Sequence, residues 1–512
     1  MAMRMSHANM YSRLVAGDAS YNGRFFTGVL TTGIYCLPSC KARKPRTENV
    51  RFFPSCEAAR AAGLRPCRKC HPDDFARGAD PVLESIETLV AGIRAAPGDF
   101  SDARAVVQRS GFGTTRAFEL FRQHYHATPA DLLLRARLDH VKRRLLETAD
   151  PLLTIAGDAG FESLSVFHER FRQVNGLTPS AYRDLASASG FRVALPAGYP
   201  LAYLRRSLGR DAHSITEKLT GDTWQAAVRL DGEPALLTLK LGPAEVSVSV
   251  DAAANVTPQV TLSGSPRRAP LAAAHEIVVG LLGLEQDAGA FARLAKRLGL
   301  SRLVAGRPEM RISQTPGIFD GLMWSIVGQQ INFPFACLLK RRLTECAGLP
   351  LGGGLHAPPD PAAVARLEPS HLLSRQFSRQ KADYLISTSR LVVERKLDLP
   401  SLPGLSATRI ERELLAVRGL GPWSANYVMM RSLGLPDCVP LGDTGVTSGL
   451  QTLFKLEERP DRDATLRLMS VFSPHRSLAT AHLWQLNAPL PTLPLPLSLP
   501  LPISLPPAPS LP

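Results

Sequence analysis

The stretch "TTGIYCLPSCKAR" (Thr31 to Arg43) sets Cys36 and Cys40 four positions apart beside a run of basic residues, and "AARAAGLRPCRKCHPD" (Ala58 to Asp73) supplies a second pair, Cys67 and Cys70. Each spacing fits a turn that aims two thiolates at one point. Two such pairs build a tetrahedral sulfur site, for which zinc is the usual metal. Cys56 and His71 are the spare ligands of the region. A purely structural zinc knuckle is the plainer reading of the spacing. Against it, nine Lys or Arg and only two Glu lie between Cys36 and Cys70, so the metal would sit in a surface that attracts phosphate.

The whole chain has the same bias. Its 512 residues leave room for several domains. Lys plus Arg number 60 against 45 Asp plus Glu, a formal net charge of +15, so a polyanion, nucleic acid first, is the natural partner. The first ten residues hold no apolar run that reads as a signal peptide. No stretch of about 18 apolar residues reads as a membrane span. A cytoplasmic protein with no membrane partner is expected, and in that reducing setting clustered cysteines point to metal or to chemistry rather than to disulfides.

Beyond the polar stretch Asp73 to Pro81, read as a linker, Val82 to Arg94 has helical apolar spacing. "DARAVVQRSGFGTTRAFELFRQHYHATP" (Asp102 to Pro129) then gives a helix, a glycine turn and a second helix with Phe118 and Phe121 inward. The pattern recurs as "LLTIAGDAGFESLSVFHERFRQVNGLTPSAYR" (Leu152 to Arg183), with Phe167 and Phe171 on the core face. A long helix from about Pro129 to Thr148 joins the two. "ASASGFRVALPAGYP" (Ala186 to Pro200) reads as a small-residue and proline linker. After it, "WQAAVRL", "ALLTLKL", "EVSVSV" and "VTPQVTL", between Trp224 and Leu262, alternate as an antiparallel sheet with one solvated face. From Leu271 to Trp484 the period is helical.

Three resemblances give these segments a function. "TTGIYCLPSCKARKPRTENVRFF" with the second cysteine pair resembles the methylphosphotriester-repair domain of the Ada family of adaptive-response regulators. This implies that Cys36 is the methyl acceptor, that Cys40, Cys67 and Cys70 complete a single four-cysteine zinc site, and that Arg43 meets phosphate. Four thiolates on one divalent zinc carry a net double negative charge, which keeps the sulfur electron-rich. Methylation would halve that charge. Near a phosphate the change is worth on the order of 1–4 kcal/mol, so damage becomes a DNA-binding signal, used once per molecule.

The second helical repeat resembles the AraC/XylS signature, which implies recognition helices starting near Thr114 and Ser163 that enter successive major-groove turns. Thr114, Thr115, Arg116, Ser163, Ser165 and His168 become DNA-contact candidates. RNA polymerase is the further partner that a regulator implies. Ada proteins often end in a Pro-Cys-His-Arg methyltransferase motif, which Cys337, Cys346 and Cys438 do not match. Those three are expected as buried small apolar residues, without alkylguanine repair.

"LLAVRGLGPWSANYVMM" (Leu414 to Met430) contains a tight G-x-G turn between helices, a good anion site. "VPLGDTGV" follows with a lone acid, Asp443. Taken alone, the turn is an ordinary helical turn and the acid an ordinary N-cap. Together they resemble the AlkA-type alkylbase DNA glycosylases, a resemblance that covers residues 190 to 487. It implies a hairpin at Arg418 to Gly421 that binds DNA through Gly419 and Gly421. Asp443 is then the catalytic acid, with pocket aromatics Trp423, Tyr427 and Trp484. "SIVGQQIN" matches the DNA-inserting segment, with Gln330 in place of an apolar wedge. Trp423 stands where related bifunctional enzymes carry a lysine, so a monofunctional glycosylase without lyase activity is expected, and no iron–sulfur centre.

The expected fold is multidomain and mainly α. It comprises a small zinc-binding α/β domain (1–78), a tandem helix-turn-helix domain (81–186), a small antiparallel-sheet α+β domain (190–268) and an all-α helix-hairpin-helix glycosylase core (271–487). The Pro/Leu-rich tail (488–512) is read as disordered or as an altered reading frame that shortens the last helix. The expected protein responds to DNA alkylation: it takes methyl groups from phosphotriesters, regulates transcription when methylated, and excises alkylated purines such as 3-methyladenine from double-stranded DNA. The alternatives are a regulator whose glycosylase domain binds DNA without cutting, and a repair enzyme that the AraC-type module merely anchors.

Overall fold

The computed structural model describes residues 5–18, 21–78, 80–252 and 269–486. The tail and the strand expected over 256–262 lie outside the described residues. The chain divides between His124 and Tyr125 into two compact units.

In the first unit Phe26–Val29 pairs antiparallel with both Ile34–Cys36 and Val50–Phe53, and Arg65–Pro66 joins the far side of Ile34–Cys36 in parallel. The parallel pairing matters most. It lets the Cys67 amide donate to the Tyr35 carbonyl at 3.0 Å, which brings the two cysteine pairs side by side. The core beneath is small, with Phe26, Tyr35, Leu37, Phe53 and Leu64 around Ala59. The expected linker from Asp73 is in part a helix, Pro72–Ala76, because proline at its first position and Asp73 and Asp74 in its first turn favour a helix start.

After the helix Pro81–Ala95, the first helix-turn-helix unit is Ala103–Arg109 and Thr114–Tyr125. Gly111 turns between them at φ +71. Ala117, Leu120 and Phe121 are buried. Phe118, expected in the core, is only half-buried, because the row through Ala117, Leu120 and Phe121 leaves it at the margin of the apolar stripe.

The second unit opens with the long helix Pro129–Glu147, begun by a capping box between Thr128 and Asp131. Helices Leu152–Asp158 and Leu164–Asn175 follow, with Gly160 turning between them at φ +86. Phe167, Phe171 and Tyr182 fill their core.

The stretch from Ala186 to Pro200 corrects the linker expectation: Gly190–Ala194 is the edge strand of a five-stranded antiparallel sheet. Its partner is Glu245–Ala252, with Val193 opposite Val246. Glu233–Leu241, Thr223–Leu230 and Glu217–Thr220 continue the sheet in that order. Trp224, Val228, Leu237 and Val246 form its buried face, covered by helix Pro270–Leu282.

The edge strand also draws the second helix-turn-helix unit onto the sheet. Ala194 N–H donates to the Gly176 carbonyl at 2.9 Å. Buried His275, from the covering helix, has Nε2 2.7 Å from the Asn175 carbonyl and its ring edge-on to Tyr182. Leu271 enters the helix-turn-helix core, and Phe191 and Val250 pack against it. The two modules share one seam.

Helices from Ala288–Arg297 to Arg476–Leu486 make the last core, around Leu322, Ile326, Leu385, Leu414, Val428 and Leu450. It is not purely helical. Leu349–Gly352 and Leu355–Ala357 form a hairpin whose His356 amide donates to Ile215 O at 2.8 Å. Cys337 and Cys438 are buried as expected, and Cys346 is half-buried. Among the described residues no helix is long and apolar enough to cross a membrane.

Two predictions follow from the seam and from buried histidines. Gly176 and Gly299 both have left-handed backbone, at φ +65 and +73, but a Cβ on Gly176 would lie 2.5 Å from Val193 while one on Gly299 meets nothing within 4 Å. Gly176→Ala should therefore cost ~1–3 kcal/mol more than Gly299→Ala. Equal urea midpoints for the two variants would refute the tight seam.

Burial holds His275 and His482 down at about 4 and about 3, from the ordinary 6.5. Below pH 6.5 the unfolded chain binds more protons than the folded one, so stability should fall as pH drops from 6.5 toward 4. The slope should approach ~1.4 kcal/mol per pH unit for each histidine. A flat unfolding free energy across that window would contradict the assignment of neutral buried rings.

Candidate functional site

The four sulfurs of Cys36, Cys40, Cys67 and Cys70 lie within 4.8 Å of one another. Tetrahedral zinc with bonds near 2.3 Å requires sulfurs about 3.8 Å apart, and Cys40 Sγ is 4.0 Å from Cys67 Sγ. Backbone amides already face the sulfurs: Leu37 N–H donates to Cys70 Sγ at 3.3 Å and Lys69 N–H to Cys67 Sγ at 3.4 Å. Hydrogen bonding to Cys40 and Cys70, then burial, pushes the Cys36 thiol up, while the same bond holds Cys40 down. Four crowded sulfurs cannot all ionise on their own, and a divalent cation at their centre is what allows it. The donor set fits zinc.

Neither spare ligand belongs to the cluster. Cys56 Sγ faces the Pro72 carbonyl at 3.4 Å, its thiol pushed up to about 12 by burial. His71 Nδ1 lies 3.4 Å from Asp74. Cys36 is only 7% exposed, so a methyl donor must reach it at the rim. Arg43 is exposed near that rim in sequence.

Thr114, Thr115 and Arg116 are exposed on the first turn of their helix. Exposed Ser163 caps the second recognition helix by accepting from Val166 N–H at 3.4 Å, Ser165 is exposed, and His168 is half-buried edge-on to Phe167. Sequence reading passed over Leu164 and Val166, which stand 41% and 48% exposed on the same turn. Apolar side chains there suit thymine methyl groups. Their signal was two apolar residues in the first turn of the helix, of which Val166 points away from the Phe167 and Phe171 face.

The second cluster centres on Asp443. It caps helix Thr444–Phe454, Oδ1 accepting from Val446 N–H at 2.9 Å. Trp484 Nε1–H donates to the same oxygen at 2.9 Å, and Trp423 Nε1–H donates to Oδ2 at 3.0 Å. The acid is thus an N-cap and a receiver of two indole protons at once. Trp423 stacks on Tyr427 with ring centroids 5.2 Å apart. Trp423, Tyr427, Trp484 and Asp443 therefore meet at one place.

The turn between helices Ala407–Ala416 and Pro422–Arg431 carries Gly419 at φ +99, where a Cβ would strike the Tyr384 ring at 2.4 Å. A Cβ on Gly421 would meet nothing, and no side chain caps the helix it opens. That leaves an open helix N-terminus suited to a phosphate. Arg418 is exposed beside it. Asn426 ties this hairpin to the acid's loop, donating to Glu411 Oε1 at 3.0 Å and accepting from Val439 N–H at 3.1 Å. Gln330 is exposed at φ +57 on a neighbouring loop, and Gln329 Nε2 reaches Gly419 O at 2.9 Å. Asn426 and Gln329 carried no local sequence signal.

Comparison with known proteins follows the same division. Residues 9–73 match the metal binding domain of Ada, 106–185 a helix-turn-helix domain, and 323–474 the HhH-GPD superfamily of base excision DNA repair proteins. The chain is 28% identical over 501 residues to a probable bifunctional transcriptional activator/DNA repair enzyme AlkA of Mycobacterium tuberculosis, covering 93% of this chain and 95% of that protein. It is 31% identical over 206 residues to a DNA-3-methyladenine glycosylase of Bacillus subtilis, covering 40% of this chain and 68% of that one. Among solved structures, a 3-methyladenine DNA-glycosylase from Archaeoglobus fulgidus aligns at a TM-score of 0.47 and 17% identity, over 58% of this chain and 98% of that one.

The double role of Asp443 separates two substitutions. Asn keeps an acceptor for the helix start, whereas Ala removes the cap and strands two indole donors. Asp443→Ala should lose ~2 kcal/mol more stability than Asp443→Asn. Indistinguishable denaturation curves for the two would mean that the carboxylate does not hold this site together.

Proposed function

Because this chain belongs to the Ada/AlkA family of bifunctional transcriptional activators and DNA repair enzymes, its C-terminal half to the DNA-3-methyladenine glycosylases, we propose a division of labour among its residues. It joins a methyl-accepting zinc domain, a helix-turn-helix regulator and a DNA glycosylase. The observation that carries the enzymatic reading is the Asp443 carboxylate held by two indoles beside an open hairpin.

Cys36, Cys40, Cys67 and Cys70 would hold the zinc, which supplies positive charge that keeps bound sulfur deprotonated at neutral pH. The Cys36 sulfur attacks the methyl carbon of a DNA phosphotriester. The carbon–oxygen bond breaks, the phosphodiester leaves with its electron pair, and the sulfur becomes a thioether. The transfer is stoichiometric. Removing one negative charge from this basic surface strengthens DNA attachment, through Arg43 and its neighbours, and so favours the promoter-bound state. RNA polymerase is the partner that such an activator meets, and the cytoplasm is where it works.

In the C-terminal half, an alkylated purine leaves the stack and enters beside Trp423, Tyr427 and Trp484. A base alkylated at a ring nitrogen is cationic, and electron-rich faces favour it. As the bond from sugar C1′ to the base nitrogen breaks, positive charge grows on the sugar ring. The base leaves neutral with the electron pair of that bond. The Asp443 carboxylate, fixed by its three donors, stabilises the sugar's charge and orients a water whose oxygen bonds to C1′ as its proton passes to the carboxylate and then to solvent. 3-Methyladenine is the substrate that suits the relatives' class. With Trp423 where a lysine nucleophile would stand, cleavage ends at hydrolysis and the enzyme is monofunctional.

Asp443→Asn should lower release of free methylated purines from methylated duplex DNA ~10²-fold or more, with no strand nicking by either protein. Unchanged release would sink the role given to Asp443. On a methylphosphotriester duplex, mass spectrometry should place one methyl group on Cys36, and a methyl found on another cysteine would displace it as acceptor.

A further inference from the structure

Lys381 lies on helix Arg379–Val393, one turn from Tyr384, whose ring closes over Gly419. Its Nζ donates to three backbone carbonyls, Ile326 at 3.1 Å, Val327 at 2.9 Å and Gln329 at 2.7 Å. Ile326 and Val327 are the last two residues of helix Ile318–Val327, and Gln329 lies in the loop after it. An ammonium there adds a charged donor to oxygens at the helix end and complements the negative end of its dipole. Burial pushes that ammonium down to about 8, which marks how far it has been drawn from water to make the contacts.

The loop it holds, Gly328 to Asn332, is fixed on two other sides. Asn332 caps the next helix, accepting from Phe335 N–H at 3.0 Å. Gln329 Nε2 donates across to the hairpin, to Gly419 O at 2.9 Å and Ser424 Oγ at 3.0 Å. Between these fastenings Gln330 stands exposed in left-handed backbone at φ +57. A non-glycine residue keeps that conformation only where its surroundings impose it. The exposed tip is therefore a rigid projection at a set offset from the open helix N-terminus of the hairpin.

We propose that Lys381 and Gln329 are positioning residues for base excision, clamping the Gln330 loop to the phosphate-binding hairpin so that a duplex gripped at Gly421 meets Gln330 at one depth in its base stack. The proposal rests on the glycosylase reading above. Neither residue touches the reacting atoms. Their contribution is to make grip and insertion a single rigid event, so that the base is expelled toward Asp443 as the backbone docks.

The test uses the full-length zinc-loaded protein with two probes: methylated duplex DNA for base release, and a duplex bearing 2-aminopurine beside a tetrahydrofuran abasic site for disruption of the stack. Lys381→Met should lower kcat for base release ~10–100-fold and abolish the rise in 2-aminopurine fluorescence. Affinity for undamaged duplex should stay within about twofold, because the hairpin contacts remain. Lys381→Arg, which restores the charge and donors, should recover a measurable part of both signals. Gln329→Leu leaves the ammonium in place and cuts only the tie to the hairpin, so it carries the test if Lys381→Met does not fold. It should show the same split between kcat and affinity. Wild-type release and fluorescence in both variants would overturn the clamp while leaving the glycosylase intact. A wild-type protein that releases no base in an Asp443-dependent way would instead bring down the underlying reading, and the clamp with it.

Discussion

Asp443 carries the constraint on which the C-terminal half depends. A carboxylate drawn partly out of water costs free energy unless donors surround its oxygens. Here the donors come from three helices: the Val446 amide from the one it caps, Trp423 from the hairpin's second helix and Trp484 from the last described helix. Satisfying one carboxylate therefore fixes three elements relative to one another, and the indoles that the sequence suggested as pocket walls are the groups that hold the acid. Indoles and acid cannot drift apart.

The N-terminal domain solves the opposite problem. Its apolar core is a handful of side chains around Tyr35 and Ala59, too few to order a chain of that length by burial alone. The sulfur cluster supplies the missing cross-link, tying Cys36 and Cys40 to Cys67 and Cys70 across the Arg65–Pro66 strand. The chemistry then follows from the stabilisation, because the charge balance that makes zinc bind firmly to four thiolates also makes one of them a good nucleophile. A structural knuckle and a methyl acceptor are the same object in different surroundings, and the surroundings here are basic.

Much of this was legible in the sequence because the relevant signals are local. Paired cysteines, a G-x-G turn followed by an acid, and repeated helical phases with glycine between them are all readable within about thirty residues. What escaped reading depends on partners far away. Gly190 to Ala194 is small and mixed in character, and becomes a strand only because Glu245–Ala252 offers it an edge. Lys381 looks like any solvated lysine until three carbonyls more than fifty residues earlier converge on it. The two tryptophans were legible as aromatic walls, but their N–H groups aimed at Asp443 were not, since direction is a property of packing. Phe118 failed in the reverse sense: a correct helix phase still left it half outside, because the width of the buried stripe is set by what lies against it.

The seam at Gly176, His275 and Val193 changes how the modules should be thought of. A flexible linker between the helix-turn-helix region and the sheet would let DNA reading and base excision proceed independently. Instead the helix that carries Ser163, Leu164 and Val166 ends against a strand of the glycosylase's own sheet. Leu271 of the sheet's covering helix is built into the helix-turn-helix core. A core shared in this way transmits orientation because close-packed side chains yield little. The second helix of that unit is consequently held in a fixed relation to the sheet, and any duplex bound by it would lie at an orientation to the sheet set by the fold and not by chance encounter.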